Sequence, residues 1–154
     1  MILDNNTILS GTYVSGAATG QTVTGTGNVL STNTLDLLVA RDIGKGEPMD
    51  IEVDVTVAAA GGTTVQIQVI QADDAALTTN LNVLSQTDAI ATATLTAGKR
   101  IPLRVPRVDP NVARRYLGLR YVLVGTYTAG AYFAAIVNKA PDNPIYMAVG
   151  TAVL

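Results

Sequence analysis

The sequence predicts an all-β fold, a jelly-roll-like antiparallel β-sandwich of about eight strands carrying an extended N-terminal arm. Three observations predict it. Several runs alternate apolar and polar residues at period two, as strands with one buried face do. No stretch shows a convincing 3.6-residue period. Clusters of Gly, Pro, Asn and Asp separate the alternating runs.

Residues 1–33 are rich in Gly, Thr, Ser and Asn and hold few core formers, so they read as an arm or long loops, lightly anchored by Ile8, Tyr13, Val23 and Val29. The remainder, 34–154, reads as a single sandwich domain. Thr34 to Ala40 is a short apolar strand, and the segment 41–48 is a loop. Met49, Ile51, Val53, Val55 and Val57 alternate with Asp50, Glu52, Asp54 and Thr56, the clearest strand in the chain. Ala58 to Gly62 reads as a turn into Val65, Ile67 and Val69, so 49–70 is expected to be a hairpin. Residues 73–80 make a short helical segment at most. Ala89 to Leu95 is expected to be a strand, and Ile101-Pro102-Leu103-Arg104-Val105 an edge strand because it contains proline. Leu117 to Val124 is apolar on both faces and reads as central. Thr128-Ala129-Gly130 is expected to turn into a last long strand, Ala131 to Val137. Residues 141–154 supply at most one more. Alternating strands bury one face each, and two stacked layers achieve that.

Composition narrows the function. Of 154 residues, 48% are hydrophobic and only 14% charged, against roughly 25% charged in an average soluble domain. With so few charges to cover the surface, part of its apolar area is expected to meet a partner or copies of the chain. There is no Cys and no His. Disulfides, a thiolate nucleophile and Cys-ligated metal are thereby excluded, and so is the one side chain that titrates near neutrality unaided. The N-terminus lacks the pattern of a secretory signal, and no window has the roughly 18 apolar residues of a membrane helix. A protein made in the cytoplasm, without membrane association, is the expectation.

Motifs point away from catalysis. Gly44-Lys45-Gly46 resembles a phosphate loop, but Val39 stands where the first Gly belongs and Gly46 where Ser or Thr belongs. Asp73-Asp74 with Asn80 offers a fragment of a calcium site without EF-hand spacing. Asp50, Glu52 and Asp54 present carboxylates on one strand face, which a solvated surface explains as well as a glycosidase cleft. Ser and Thr abound, yet Lys45, Lys99 and Lys139 sit in no recognisable catalytic context and no Gly-x-Ser-x-Gly elbow occurs. The expectation is a non-enzyme with no catalytic residues, no cofactor and no metal.

Charge is unevenly distributed. Residues 1–77 carry two bases and nine acids, net −7, and residues 78–154 carry eight bases and three acids, net +5. Either the halves form opposite faces for docking, or they interleave and the charges mix. The densest basic run, from Lys99 to Arg120, suits docking to an acidic protein surface better than nucleic acid, given a pI near 4.8 and no nucleic-acid motif. The candidate partner-binding residues are Ile8 and Tyr13 of the arm with Arg100, Arg104, Arg107, Arg114 and Arg115.

The order of the pieces carries a resemblance. Ser31-Thr32-Asn33-Thr34-Leu35-Asp36-Leu37 precedes Asp42-Ile43-Gly44-Lys45-Gly46-Glu47-Pro48-Met49. Leu95-Thr96-Ala97-Gly98-Lys99-Arg100-Ile101, Arg115-Tyr116-Leu117-Gly118-Leu119-Arg120-Tyr121 and Gly125-Thr126-Tyr127-Thr128-Ala129-Gly130 follow. Over roughly residues 31–137 this resembles the capsid cement (decoration) proteins of tailed phages, in particular the Bordetella-phage-like type. The resemblance implies a jelly-roll virion protein on the outer capsid surface, self-associating as a dimer or trimer and bridging adjacent major capsid proteins. The alternative from another class is a ligand- or receptor-binding β module of tail-fibre or lectin-like kind.

Overall fold

The computed structural model describes residues 5–40, 48–105 and 112–137. Its spine is one long strand, β12 (Tyr116–Val137), which combines the run expected to be a central strand with the run expected after a turn. Thr128-Ala129-Gly130 does not reverse the chain. The strand runs through it with irregular register between Tyr127 and Tyr132. Those bulges move the inward face from Leu117, Leu119, Tyr121 and Leu123 to Tyr132 and Ala134, which a strict period of two forbids without extra residues.

Along one side of β12 lie β7 (Met49–Gly61) and β8 (Thr64–Ala72), end to end. The antiparallel register runs from Val137↔Asp50 to Tyr127↔Gly61, then from Val124↔Thr64 to Tyr116↔Ala72. The expected hairpin over 49–70 is therefore corrected: β7 and β8 share β12 as a neighbour and do not pair with each other. Gly61 and Gly62 have φ of 73° and 56°, and across from them Gly125 has φ of 86°. These glycines bend a two-stranded ribbon from one layer to the other. A Cβ on Gly125 would come within 2.9 Å of Gly62 Cα, so the corner requires residues without one.

The other side of β12 is lined by β6 (Leu35–Asp36), β5 (Gly25–Leu30), β4 (Gln21–Thr22) and β1 (Ile8–Ser10). The segment read as an arm is thus built into the sheet. Leu9 and Val23 enter the core, 0% and 1% exposed, and the many hydroxyls and amides around them bond locally. Two more strands, β2 (Thr12–Val14) and β3 (Ala17–Thr19), form a separate hairpin.

The remaining strands flank this frame. β11 (Arg100–Val105) pairs with β7, and its burial alternates with Ile101, Leu103 and Val105 inward. No described strand pairs with its other side, so Pro102 sits in an edge strand as expected. β9 (Asn82–Gln86) and β10 (Ile90–Ala91) pair with β8. The strand expected over 89–95 shrinks to β10 and a 3-10 turn at Thr92–Thr94, because Thr92 bonds through both its N–H and its hydroxyl to the Thr63 carbonyl. Residues 73–80 form a turn held by Asp74, which accepts hydrogen bonds from the Thr78 and Thr79 N–H groups. The strand expected over 34–40 stops at β6, where Asp36 accepts from the Leu38 N–H and Leu38 adopts φ of 67°.

Inner faces of both layers meet in one core containing Ile51, Val53, Ile67, Leu119, Tyr121 and Tyr132. The fold is an all-β antiparallel sandwich, nearly closed into a barrel where β9 approaches β11. Among the described residues no helix is long and apolar enough to cross a membrane.

Candidate docking surface

The β2–β3 hairpin stands out from the body. Its two-residue loop, Ser15-Gly16, has φ of 51° and 84°, the positive pair that a type I′ turn needs and that matches strand twist. Every residue of both strands is exposed, including Val14 at 67% and Tyr13 at 38%. Residues 5–35 contain no charged side chain, so the hairpin offers a neutral, partly apolar surface.

Its base is clamped. Gly11 donates its N–H to Thr32 Oγ1 at 3.3 Å, and Asn33 Nδ2 donates to the Gly11 carbonyl at 2.9 Å. Gln21 accepts from Ser10 Oγ and the Thr32 N–H, both at 2.8 Å, and donates to the Leu30 carbonyl at 2.7 Å. Gly20 lies against Thr56 and Tyr132 with no room for a Cβ. Halfway along the hairpin the Tyr13 ring rests 6.5 Å from that of Phe133. Beneath it a groove of about 350 Å³ is lined by Asn5, Asn6, Ile8, Tyr13 and Asn33, among others.

The candidate partner residues fall into two groups. Ile8 and Tyr13 come together: both border the groove and Phe133. Ile8 is 6% exposed and packs with Phe133 and Ala135, so its apolar surface is used within the chain. Tyr13 keeps a free face.

The four described arginines of the group are each matched by an acid from the first half of the chain. Arg100 Nε lies 3.3 Å from Glu52 and 3.5 Å from Asp54, and Arg104 Nε donates to Asp50 at 3.0 Å. Arg114 Nε is 3.5 Å from Asp73 and donates to the Asn80 carbonyl at 3.3 Å. Arg115 grips Asp36 through Nε and Nη2, both at 2.7 Å, and lies 5.0 Å over the Tyr116 ring. That bidentate pair holds the Asp36 carboxyl down at about 2 and pushes the Arg115 guanidinium up. Arg107 lies outside the described residues, as do Gly44, Lys45, Gly46 and Lys139.

The opposed charges of the two halves therefore meet inside one molecule, through antiparallel pairing of β7 with β11 and of β6 with β12. Arg100 and Arg104 remain 58% and 69% exposed, so they border the surface while serving the fold. Asp50, Glu52 and Asp54, expected on a solvated face, are largely covered: Glu52 is 4% exposed. Burial, then the neighbouring Asp54 charge, raises the Glu52 carboxyl above its ordinary value, and Arg100 opposes this.

Asp73 and Asp74 also serve the fold. Asp73 accepts from Asn80 Nδ2, and Asp74 takes three hydrogen bonds from Thr78 and Thr79. Among the described residues no group of three His, Cys, Asp or Glu side chains is placed to hold a metal ion.

Sequence reasoning missed the hairpin as a unit and missed the burial of Glu52. Ser15-Gly16 was the signal for the first, a two-residue turn dipeptide between Thr12-Tyr13-Val14 and Ala17-Ala18-Thr19. For the second it was matched spacing: Arg100 and Arg104 repeat at the same period as Asp54 and Asp50 in the opposite chain direction, the pattern of cross-strand ion pairs.

No curated protein matches the chain. A family model described as Bbp16 matches residues 17–136, from the second strand of the hairpin almost to the end of the spine. Since that span takes in β3 to β11 and all but the last residue of β12, most of the chain, the chain belongs to the Bbp16 family, a family of Bordetella phage proteins.

Proposed function

We propose that this phage protein is a capsid cement protein, a structural virion component that binds the outer surface of the head and bridges adjacent major capsid proteins. The observation that carries the reading is the neutral, exposed β2–β3 hairpin clamped at its base to a stiff two-layer body. A rigid, pre-ordered projection loses little conformational freedom on docking. Apolar Val14 and the open face of Tyr13 supply contact area without burying charge. Membership of a phage family supports the setting.

A cement unit must touch at least two shell subunits, and a dimer or trimer of this chain does so with one hairpin per copy. Weak contacts then add through effective concentration on the lattice. The work is mechanical rather than enzymatic, with no cofactor, nucleic acid or membrane involved.

The test is incubation of the purified protein with expanded, undecorated heads, followed by co-sedimentation and heating. Saturable binding in fixed proportion to the capsid protein, with heads that survive higher temperature, is expected. Heads that sediment without the protein and break at an unchanged temperature overturn the reading. Binding to a glycan panel instead would favour the receptor-binding alternative.

A further inference from the structure

Two open strand edges of this fold are treated differently. β11 carries Pro102 with Arg100 and Arg104, and prolines and charges are what keep a stray strand from adding to an edge. Residues 5–35 hold no proline and no charged side chain, so the edge of β2 has neither protection.

The register of the hairpin decides which groups β2 leaves open. Val14 and Ala17 flank the two-residue loop and exchange main-chain hydrogen bonds, and so, two residues further from the loop, do Thr12 and Thr19. Tyr13 and Ala18 between them are the non-bonded pair, so the Tyr13 N–H and carbonyl point away from β3. Among the described residues no hydrogen bond outside the ladder reaches either group. Gly11, two residues earlier, differs: Thr32 Oγ1 takes its N–H and Asn33 Nδ2 its carbonyl. The edge is closed by side chains at Gly11 and open at Tyr13.

Beside the open part lies the groove of about 350 Å³. All three β2 residues, Thr12, Tyr13 and Val14, line it and no β3 residue does, while Asn5, Asn6 and Asn33 bring amides to it. An extended chain laid there adds a third strand to a two-stranded ribbon, which by itself is marginal. The main chain of such a segment meets the Tyr13 N–H and carbonyl. A charged side chain on it would lose water without gaining a counter-ion.

We infer that the hairpin docks by strand addition: an extended, uncharged segment of the capsid protein pairs with the free edge of β2 through the main chain of Tyr13. The inference rests on the capsid-binding role proposed above and gives that role its contact.

The experiment uses the intact chain and undecorated heads. Tyr13→Pro deletes the outward N–H and spares the bonds to β3, while Tyr13→Ala removes the ring and keeps the N–H. Tyr13→Pro is expected to bind heads about tenfold or more weakly than Tyr13→Ala, the effect of leaving a buried carbonyl of the partner unpaired. Equal binding of the two variants overturns the inference. Amide hydrogen exchange of the parent protein decides independently of how the variants fold. Protection of the Tyr13 amide on heads is expected, and an amide that exchanges as fast on heads as in solution overturns strand addition while head binding itself stands. Protection that comes with self-association, before heads are added, gives the edge to a second copy and overturns it too. A parent protein that ignores heads altogether removes the cement reading and this inference with it.

Discussion

The rings of Tyr121 and Tyr132 stack at 5.1 Å with 23° between their planes, although both belong to β12. A straight strand would hold them apart along its length. The stack exists because the bend at Gly125 and the bulges after it fold β12 over the core, so the strand packs against itself. Both rings are 0% exposed, and they join the two layers more directly than any other pair of aromatic side chains described.

Removing one ring should therefore weaken both layers at once. Tyr132→Ala is expected to lower stability by about 3–5 kcal/mol, the range for emptying a large aromatic site in a packed core. Tyr132→Phe should behave oppositely. The Tyr132 hydroxyl is buried without a hydrogen-bond partner, so deleting it leaves nothing unsatisfied and should leave stability unchanged or raise it by up to about 1 kcal/mol. Urea denaturation of the two variants separates ring packing from hydroxyl chemistry.

The same hydroxyl makes a pH prediction. Burial, with a smaller contribution from Tyr127, pushes Tyr132 up to about 12. A group whose folded value is raised contributes stability below its ordinary value of 10.0 that is lost as pH climbs toward 12. Absorbance titration should show Tyr132 ionising only after the exposed and half-buried tyrosines or with unfolding, as should Tyr121, which burial also raises, and in Tyr132→Phe that late step should shrink by one tyrosine.

Gly98, in the turn before β11, and Gly125, at the corner, differ in what they require. Gly98 and Gly125 have nearly equal φ, 85° and 86°. A Cβ at Gly98 meets nothing within 4 Å, whereas at Gly125 it meets Gly62 Cα at 2.9 Å. Gly98→Ala should lower stability by about 1–2 kcal/mol through backbone strain alone. Gly125→Ala should lower it further, since two backbones must separate. Equal losses in thermal denaturation would show that the corner is looser than its geometry implies.

Arg115, immediately before β12, grips Asp36 at the end of β6 by a two-pronged contact. Lysine has one compact ammonium and cannot reproduce the fork. Arg115→Lys should move the Asp36 titration from about 2 back toward 3.8, read by carboxyl NMR. The pair's contribution is present above 3.8 and lost as pH falls through about 2. In the variant the loss should begin at higher pH.

How much of this was legible in the sequence depends on what each residue's neighbours supply. The alternation of Ile51, Val53 and Val55, and of Ile101, Leu103 and Val105, marks buried strand faces directly, and the structure buries all six. Class and edge position followed. Connectivity did not, because Gly61-Gly62 is compatible with a reversal and with a bend, and only the partner strand decides between them. The N-terminal segment misled for a related reason. Its short strands have little apolar surface of their own and are ordered by β12 on one side and by the Ser10, Gln21, Thr32 and Asn33 hydrogen bonds on the other. The arginines were legible as a cluster, but their partners lay in residues distant in sequence, as Arg115 and Asp36 show.

Because the four described arginines of the candidate group are paired within the chain, docking through the hairpin is separable from their role in the fold. If the proposed cement role uses the hairpin, Val14→Asp should reduce binding to undecorated heads at least about tenfold, since it places an unpaired charge at the centre of a neutral contact. Its folding stability should stay within about 0.5 kcal/mol of the parent, because Val14 is 67% exposed. Arg114→Ala should show the reverse: it removes the contacts with Asp73 and the Asn80 carbonyl and lowers the melting temperature with little change in head binding. Co-sedimentation and thermal denaturation of both variants give four numbers. A Val14→Asp protein that binds heads as tightly as the parent would move the docking surface away from the hairpin, and a weakly binding, fully stable Arg114→Ala would move it toward the start of β12.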